Sequence, residues 1–359
     1  MKIAIPSHIA RDYGAHLRRA YPDADIIPLA IHRRESPFRK VLRRCAEYGL
    51  PYHTYERLQP WIGRRPSFSF SLDGKPLSAP ASDVQGLLAT WMMEYDSLKQ
   101  LLPLLPGLRW LHSTKSGVEH LPGECLGNRS LTVTASRGAH SRRIAEFVMG
   151  LIYCFGKNYL GHRALQQKRR WDQLPSLDIE GKQVAVLGAG SIGREVARKA
   201  RAGGMRVSGV SLRGRPDRLF ERVYLPEQLG DALRGADFIV VCLPLTRETT
   251  GFIGAEALAR MKRTAYLINI ARDRIVDREA LVRALRTGAL AGAAIDAVAD
   301  DFLPRSHPYY RLDNLLITHH CAYRGETPAA ALLGRFEENL GRFLAGEPLI
   351  DTIDPEKGY

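Results

Sequence analysis

The sequence predicts an α/β fold built on parallel sheet. From about residue 182 onward, short apolar runs alternate with helical patterns of ten or so residues, the signature of βαβ units. One of those runs is followed by a glycine turn that opens a helix. The length of 359 residues fits two domains at about 150 residues each. A composition 45% hydrophobic and 25% charged is that of a folded globular chain and excludes a mainly disordered, collagen-like or disulfide-scaffold protein.

The elements follow in order. Lys2–Ile5 is a short strand pattern, 9–20 an Arg-rich helical pattern, and Asp25–Leu29 a second apolar segment. Residues 31–80 carry Pro37, Pro51, Pro60, Pro66, Pro76 and Pro80 and are expected to be an irregular insertion. Strands are expected near Val84–Ala89 and Arg109–His112. The second half is regular. Strands at Val184–Leu187, Met205–Val210, Phe238–Leu243, Ala265–Ile270, Ala293–Ile295 and Leu315–Thr318 are separated by helical stretches at 194–201, 226–234, 254–262 and 277–287. The last of these starts at Asp277, a good N-cap, and stops before Gly288. Leu332–Leu344 closes the fold with Leu333, Phe336, Leu340 and Phe343 at core spacing.

Several classes are excluded. The longest apolar stretch, Ile144–Phe155, has twelve residues and contains Glu146, too short to span a bilayer. The N-terminus lacks a useful signal-peptide core. Cys45, Cys125, Cys154, Cys242 and Cys321 are scattered, odd in number and form no CxxC pair. Neither a disulfide framework nor a metal site is expected, and a cytoplasmic location is. The net charge is +14, and residues 31–66 hold nine Arg/Lys against three Glu. No zinc-finger, basic-heptad or RRM pattern accompanies this charge, so no nucleic-acid partner is expected. Part of the charge suits an anionic cofactor and substrate.

Residues 184–193 read VAVLGAGSIG, and Gly188, Gly190 and Gly193 fit G-x-G-x-x-G. Glycine serves a tight strand-to-helix turn, close approach of a pyrophosphate, and close helix packing. The helix start beyond it offers free N–H groups and a favourable dipole to phosphate. An NAD site places an acid about 20 residues on. Here that region is Ser211-Leu212-Arg213-Gly214-Arg215. A hydroxyl and two guanidiniums suit a ribose 2′-phosphate, so NADP(H) is expected in preference to NAD(H).

Further along, AYLINIARDRIVD places Arg272 just past a strand, GAAIDAVADD places Asp296, Asp300 and Asp301 past the next, and LLITHHCA ends in His319-His320. Ligands of open parallel sheets bind outside the carboxyl ends of the strands. An arginine can hold an anionic substrate and polarise its carbonyl, a histidine can exchange a proton with the reacting oxygen, and a carboxylate can orient that histidine.

These motifs together resemble the D-isomer-specific 2-hydroxyacid dehydrogenases. The resemblance is carried by LRWLHSTKSGVEHL, IAEFVMGLI, VAVLGAGSIGREVA, VVCLPLTRETTGFI, NIARDRIVDREAL and ITHHCA, and it weakens before residue 80. It implies two Rossmann-like or flavodoxin-like doubly wound domains, the cofactor domain (139–322) inserted in the substrate domain (1–138 and 323–359). It also implies a homodimer that pairs through the helix near Ile144. By position, Arg272 resembles the family's catalytic arginine, with Asp273 where glycine is usual. His320 resembles the catalytic histidine, with His319 where proline is usual. Asp301, five residues after Asp296, stands where the histidine's glutamate partner would be, and Asp300 is the alternative. Asp296 resembles the residue that contacts the nicotinamide amide. Lys115, Ser116 and Gly117 resemble the loop whose backbone N–H groups grip the substrate carboxylate. The cofactor set is completed by Ser191, Ile192, Leu243, Pro244, Thr249, Ile270 and Ala271. The implied reaction is hydride transfer between NADP(H) and a small 2-oxoacid or D-2-hydroxyacid, such as glyoxylate or hydroxypyruvate. A catalytically silent dinucleotide sensor on the same fold is the rival reading.

Overall fold

The computed structural model describes residues 1–34, 54, 67–90, 93, 95–115, 117, 121–123, 127, 130–298, 303–325 and 329–354. The chain divides into two compact units, Met1–Ala139 with Glu326–Tyr359, and His140–Gly325. The second unit is therefore contiguous in sequence, whereas the first is assembled from both ends of the chain.

The first unit holds strands β1 (Lys2–Pro6), β2 (Asp25–Arg34), β3 (Ser67–Leu72), β4 (Lys75–Pro76), β5 (Val84–Ala89), β6 (Trp110–Ser113) and β7 (Thr132–Ala135). Their order is β4-β3-β2-β1-β5-β6-β7. The order reverses between β1 and β5, which makes this edge the switch point of a doubly wound sheet. Side chains alternate across the sheet as the two-residue period requires. Ile3, Ile5, Leu88 and Trp110 face helix α1 (Ser7–Ala20) and the closing helix. Ala4, Leu87, Leu111 and Val133 face α2 (Tyr95–Leu101).

The expectation of irregular structure over 31–80 is corrected at both ends. β2 runs to Arg34, and β3–β4 form an antiparallel hairpin on β2. Asp73 and Gly74 both have positive φ, 49° and 74°, the conformation of a two-residue turn that matches strand twist. The strand SFSFSL alternates polar and apolar residues. The prolines at 37, 51 and 60 and the basic stretch up to Arg65 lie outside the described residues.

In the second unit, α3 (Ser141–Gly156) and α4 (Tyr159–Gln167) precede the sheet. The strands are β8 (Gln183–Leu187), β9 (Arg206–Val210), β10 (Arg222–Tyr224), β11 (Phe238–Val241), β12 (Tyr266–Asn269), β13 (Gly292–Ile295) and β14 (Leu315–Ile317), with helices α5 (Ser191–Ala202), α6 (Leu229–Arg234), α7 (Ala255–Arg260) and α8 (Arg278–Arg286) between them. The order β10-β9-β8-β11-β12-β13-β14 is parallel throughout. Leu187, Ile239, Leu267 and Ile295 pack on α6, α7 and α8 on one face. Val186, Val240, Ile268 and Ala294 pack on α3 and α5 on the other. Both faces are covered, as parallel sheets require. The expected N-cap is present: Asp277 accepts a hydrogen bond from the Ala280 N–H at 2.8 Å. Among the described residues, no helix is long and apolar enough to cross a membrane.

The closing helix α9 (Ala329–Ala345) returns to the first unit, with Leu333, Phe336 and Leu340 buried as expected. Phe336 stacks on Trp110 at 5.3 Å. Beside that pair, His112 is fully buried and bonds Thr134 Oγ1 at 2.8 Å and Ser136 Oγ at 3.0 Å. Burial, aided by the Arg335 charge, pushes its imidazole down to about 3. The unfolded chain then binds a proton between pH 6.5 and 3 that the folded chain refuses, so stability is complete above 6.5 and falls as pH drops. Going from pH 7.5 to 4.5 is expected to cost on the order of 2 kcal/mol through this group. Urea unfolding of the wild type and His112→Gln at both pH values checks this. An identical acid loss in the variant rules it out.

Candidate active site

The glycine turn sits at the switch point of the second sheet, between β8 and β11. Gly188 has φ +107°, and a Cβ there would meet the Cys242 carbonyl at 2.9 Å. A Cβ on Gly193 would lie 2.0 Å from the Gly188 oxygen, so α5 can pack on β8 only with glycine at this position. Gly190 differs, since a Cβ there would meet nothing within 4 Å. That is the surface a ligand phosphate needs to approach. The first-turn amides of α5, at Ser191, Ile192 and Gly193, have no intrahelical acceptor by helix geometry, and no acid lies in that turn. The turn fits a dinucleotide pyrophosphate.

At the tip of β9, Ser211 donates its N–H to the Tyr224 carbonyl at 3.0 Å and accepts from the Gly214 N–H at 3.2 Å. This tight turn leaves Arg213 and Arg215 exposed. The first carboxylate beyond them, Asp217, is already engaged in an ion pair with Arg194 on α5. The tip is therefore basic, and the acid nearest in sequence is neutralised.

Across the switch point, the loop after β11 is braced internally. Thr249 donates its hydroxyl to the Pro244 carbonyl at 2.6 Å, and the Thr246 N–H donates back to Thr249 Oγ1 at 2.7 Å. Leu243 is half-buried, while Ile270 and Ala271 are buried at the end of β12.

β12, β13 and β14 are neighbours, and each delivers one polar residue to the same carboxyl edge. Arg272 follows β12 in an extended conformation. Its turn is held by Asn269, whose side-chain oxygen accepts from the Ala271 N–H at 3.0 Å and whose amide donates to the Arg272 carbonyl at 2.8 Å. Asn269, which shapes this turn, was passed over by sequence reasoning, although it stands three residues before Arg272 in NIAR. Asp273, where the resemblance expects glycine, is buried and lies 3.9 Å from the Arg278 guanidinium.

Asp296 follows β13 and is 2% exposed. Its carboxylate accepts from the Thr318 hydroxyl at 2.7 Å, the Cys321 N–H at 2.9 Å and the Ala322 N–H at 3.0 Å. Three of about four acceptor positions thus hold the loop after β14. That loop carries His320, whose own N–H donates to the Asp296 carbonyl at 2.6 Å. His320 has φ +43°, a left-handed conformation that costs a non-glycine residue about 1–2 kcal/mol. The clamp therefore holds the imidazole on a strained backbone, a feature associated with functional sites. The ring meets Tyr323 edge-on at 5.6 Å. Burial and the Asp296 charge push the adjacent Cys321 thiol up, so it stays protonated at neutral pH. Asp300 and Asp301, the two candidates for orienting His320, lie outside the described residues.

In the first unit, the loop after β6 holds Lys115 and Gly117, while Ser116 lies outside the described residues. The Lys115 N–H donates to Ser113 Oγ at 3.1 Å, and that hydroxyl donates to the Lys115 carbonyl at 3.2 Å. One of the three amides expected to face a carboxylate is thus turned onto its own loop.

A family model described as D-isomer specific 2-hydroxyacid dehydrogenase, NAD binding domain, matches residues 149–322. A glyoxylate reductase of Korarchaeum cryptofilum (strain OPF8) is 30% identical over 261 residues, covering 70% of this chain and 77% of that protein. A D-isomer specific 2-hydroxyacid dehydrogenase family protein from Aeromonas salmonicida subsp. salmonicida A449 superposes with a TM-score of 0.74 at 27% identity, covering 99% of each chain. A D-isomer specific 2-hydroxyacid dehydrogenase from Xanthobacter autotrophicus Py2, solved with NADPH and MES, gives 0.72 at 26% identity over 100% of this chain and 99% of that one.

Proposed function

The chain belongs to the D-isomer specific 2-hydroxyacid dehydrogenase family, and from that premise we propose that it is an NADP(H)-preferring reductase of small 2-oxoacids. The observation that carries this reading is the set of adjacent strand ends β12, β13 and β14, which present Arg272, Asp296 and His320 at one edge of the sheet that bears the glycine turn. When bound, the nicotinamide supplies a hydride to the ketone carbon. His320 gives its proton to the ketone oxygen, and takes it back in the oxidative direction. Arg272 holds the oxoacid by its charge and polarises the carbonyl. The 115–117 loop supplies amides for the carboxylate, and Asp301 supports the imidazole. The substrate class is glyoxylate, hydroxypyruvate and their small relatives.

The preference for NADP(H) rests on Ser211, Arg213 and Arg215, supported by the NADPH in the Xanthobacter relative. Arg213→Ala with Arg215→Ala is expected to lower kcat/KM for NADPH by about tenfold per arginine, as charge-assisted bonds are lost. The value for NADH should change far less. Steady-state kinetics with both cofactors and a panel of 2-oxoacids checks this, and a wild type faster with NADH rules it out. We also propose a homodimer through α3 and α4, where Tyr153, Tyr159 and Leu160 are exposed and Trp171 follows fully exposed.

A further inference from the structure

At the carboxyl edge of the first unit's sheet, two enclosed polar atoms have no hydrogen-bond partner among the described residues. Thr90 is 2% exposed and its Oγ1 has no partner. His8 Nε2 is likewise enclosed and unpaired. The register Ile3↔Gly86 and Ala4↔Leu87, carried onward, sets Ser7, the first residue of α1, level with Thr90, and His8 follows it in the first turn. On the other side Ala89 pairs with Ser113 and its carbonyl accepts the Thr114 N–H at 2.9 Å. Thr90 is therefore one strand from the 113–117 loop and one strand from His8. This is the carboxyl edge of the sheet at its switch point, where open α/β sheets take their ligands.

An enclosed hydroxyl without a partner costs about 1–3 kcal/mol, which a ligand oxygen recovers and a methyl group does not. Adjacent strands are about 4.8 Å apart, close to the reach of a three-carbon acid from its carboxylate to an oxygen on C3. Burial lowers the His8 imidazole from its usual value, so the ring is neutral at pH 7. Two neutral groups suit a neutral hydroxyl better than a second carboxylate.

We infer that Thr90, with His8 beside it, forms a subsite for the far end of the substrate and selects a 2-oxoacid that carries a hydroxyl on C3. This rests on the reading of the 115–117 loop as the holder of the substrate carboxylate. A site built to bond a hydroxyl rejects the analogue that lacks it strongly. The wild type is expected to favour hydroxypyruvate over pyruvate by about 100-fold or more in kcat/KM. Thr90→Val should lower that ratio by about 30-fold, and Thr90→Ser should restore most of it. A ratio unchanged in Thr90→Val overturns the subsite while leaving the reductase standing. A wild type that reduces no 2-oxoacid overturns the reductase instead. In that second case calorimetry with NADP⁺ present decides the subsite. D-glycerate should bind the wild type more tightly than D-lactate, and Thr90→Val should erase the difference. Equal binding of both acids to the wild type overturns the inference.

Discussion

His320→Ala is expected to lower kcat with a 2-oxoacid by about 10³-fold, in the range that general acids contribute, while NADPH binds as before. The imidazole is the proton donor in the proposed reaction, and nothing in the glycine turn depends on it. Its side chain points from a loop whose folding is secured elsewhere: the Asp296 carboxylate bonds Thr318, Cys321 and Ala322, and the His320 N–H bonds the Asp296 carbonyl. Alanine adopts the backbone of position 320 no more easily than histidine does, so stability should change little. Absorbance assays with NADPH, alongside cofactor titration by fluorescence, separate chemistry from binding. A variant that keeps more than a tenth of wild-type turnover removes His320 from the mechanism. A wild type as silent as the variant favours the sensor reading.

Asp296→Ala should be damaging in a different way. It leaves two backbone N–H groups and one hydroxyl without their charged acceptor in a buried place. Bonds to charged groups are worth about 1.5–3 kcal/mol each, and their losses do not simply add. A stability loss of about 3 kcal/mol is expected. The strained backbone at His320 also loses its restraint and relaxes, so kcat should fall about 100-fold or more even where the protein remains folded. Asp296→Asn keeps one oxygen for Thr318 and Cys321 but sets an NH₂ against the Ala322 N–H, so it should rescue only part of both losses. Thermal unfolding and kcat measured on the same samples test this. Turnover within threefold of wild type in Asp296→Ala shows that the clamp does not position His320.

The second unit was legible because each of its elements is signalled locally. Apolar runs buried on both faces, Asp277 as a cap and the spaced glycines all speak through neighbouring residues. The N-terminal unit was harder. Its hairpin carried a strong signal, SFSFSL before Asp73-Gly74, but the density of prolines at 37–66 obscured it. Strand β7, with the four residues TVTA, is too short for a period to register, and it owes its place to β6 beside it. At the site, Arg272, Asp296 and His320 stood out as polar residues after apolar runs. Asn269, Thr318 and Thr90 did not, since what marks them is which polar groups lie within about 3 Å or are left unpaired, and a linear chain does not display that. Asp296 shows the gap well: its type and position were visible, whereas its three bonds to the 318–322 loop emerge only in space.

The split composition of the N-terminal unit bears on how the protein is made. A ribosome delivers β1, β5 and β6 early, and Ile3, Ile5, Leu88 and Trp110 then wait for Leu333, Phe336 and Leu340, which emerge only after the entire inserted unit has been synthesised. Through that interval a nascent chain has only α1 to cover this oily sheet face, and the part left open is the kind of surface that chaperones hold and that aggregates otherwise. The contiguous unit has no such wait, since every strand and helix it needs is present once Gly325 has left the tunnel.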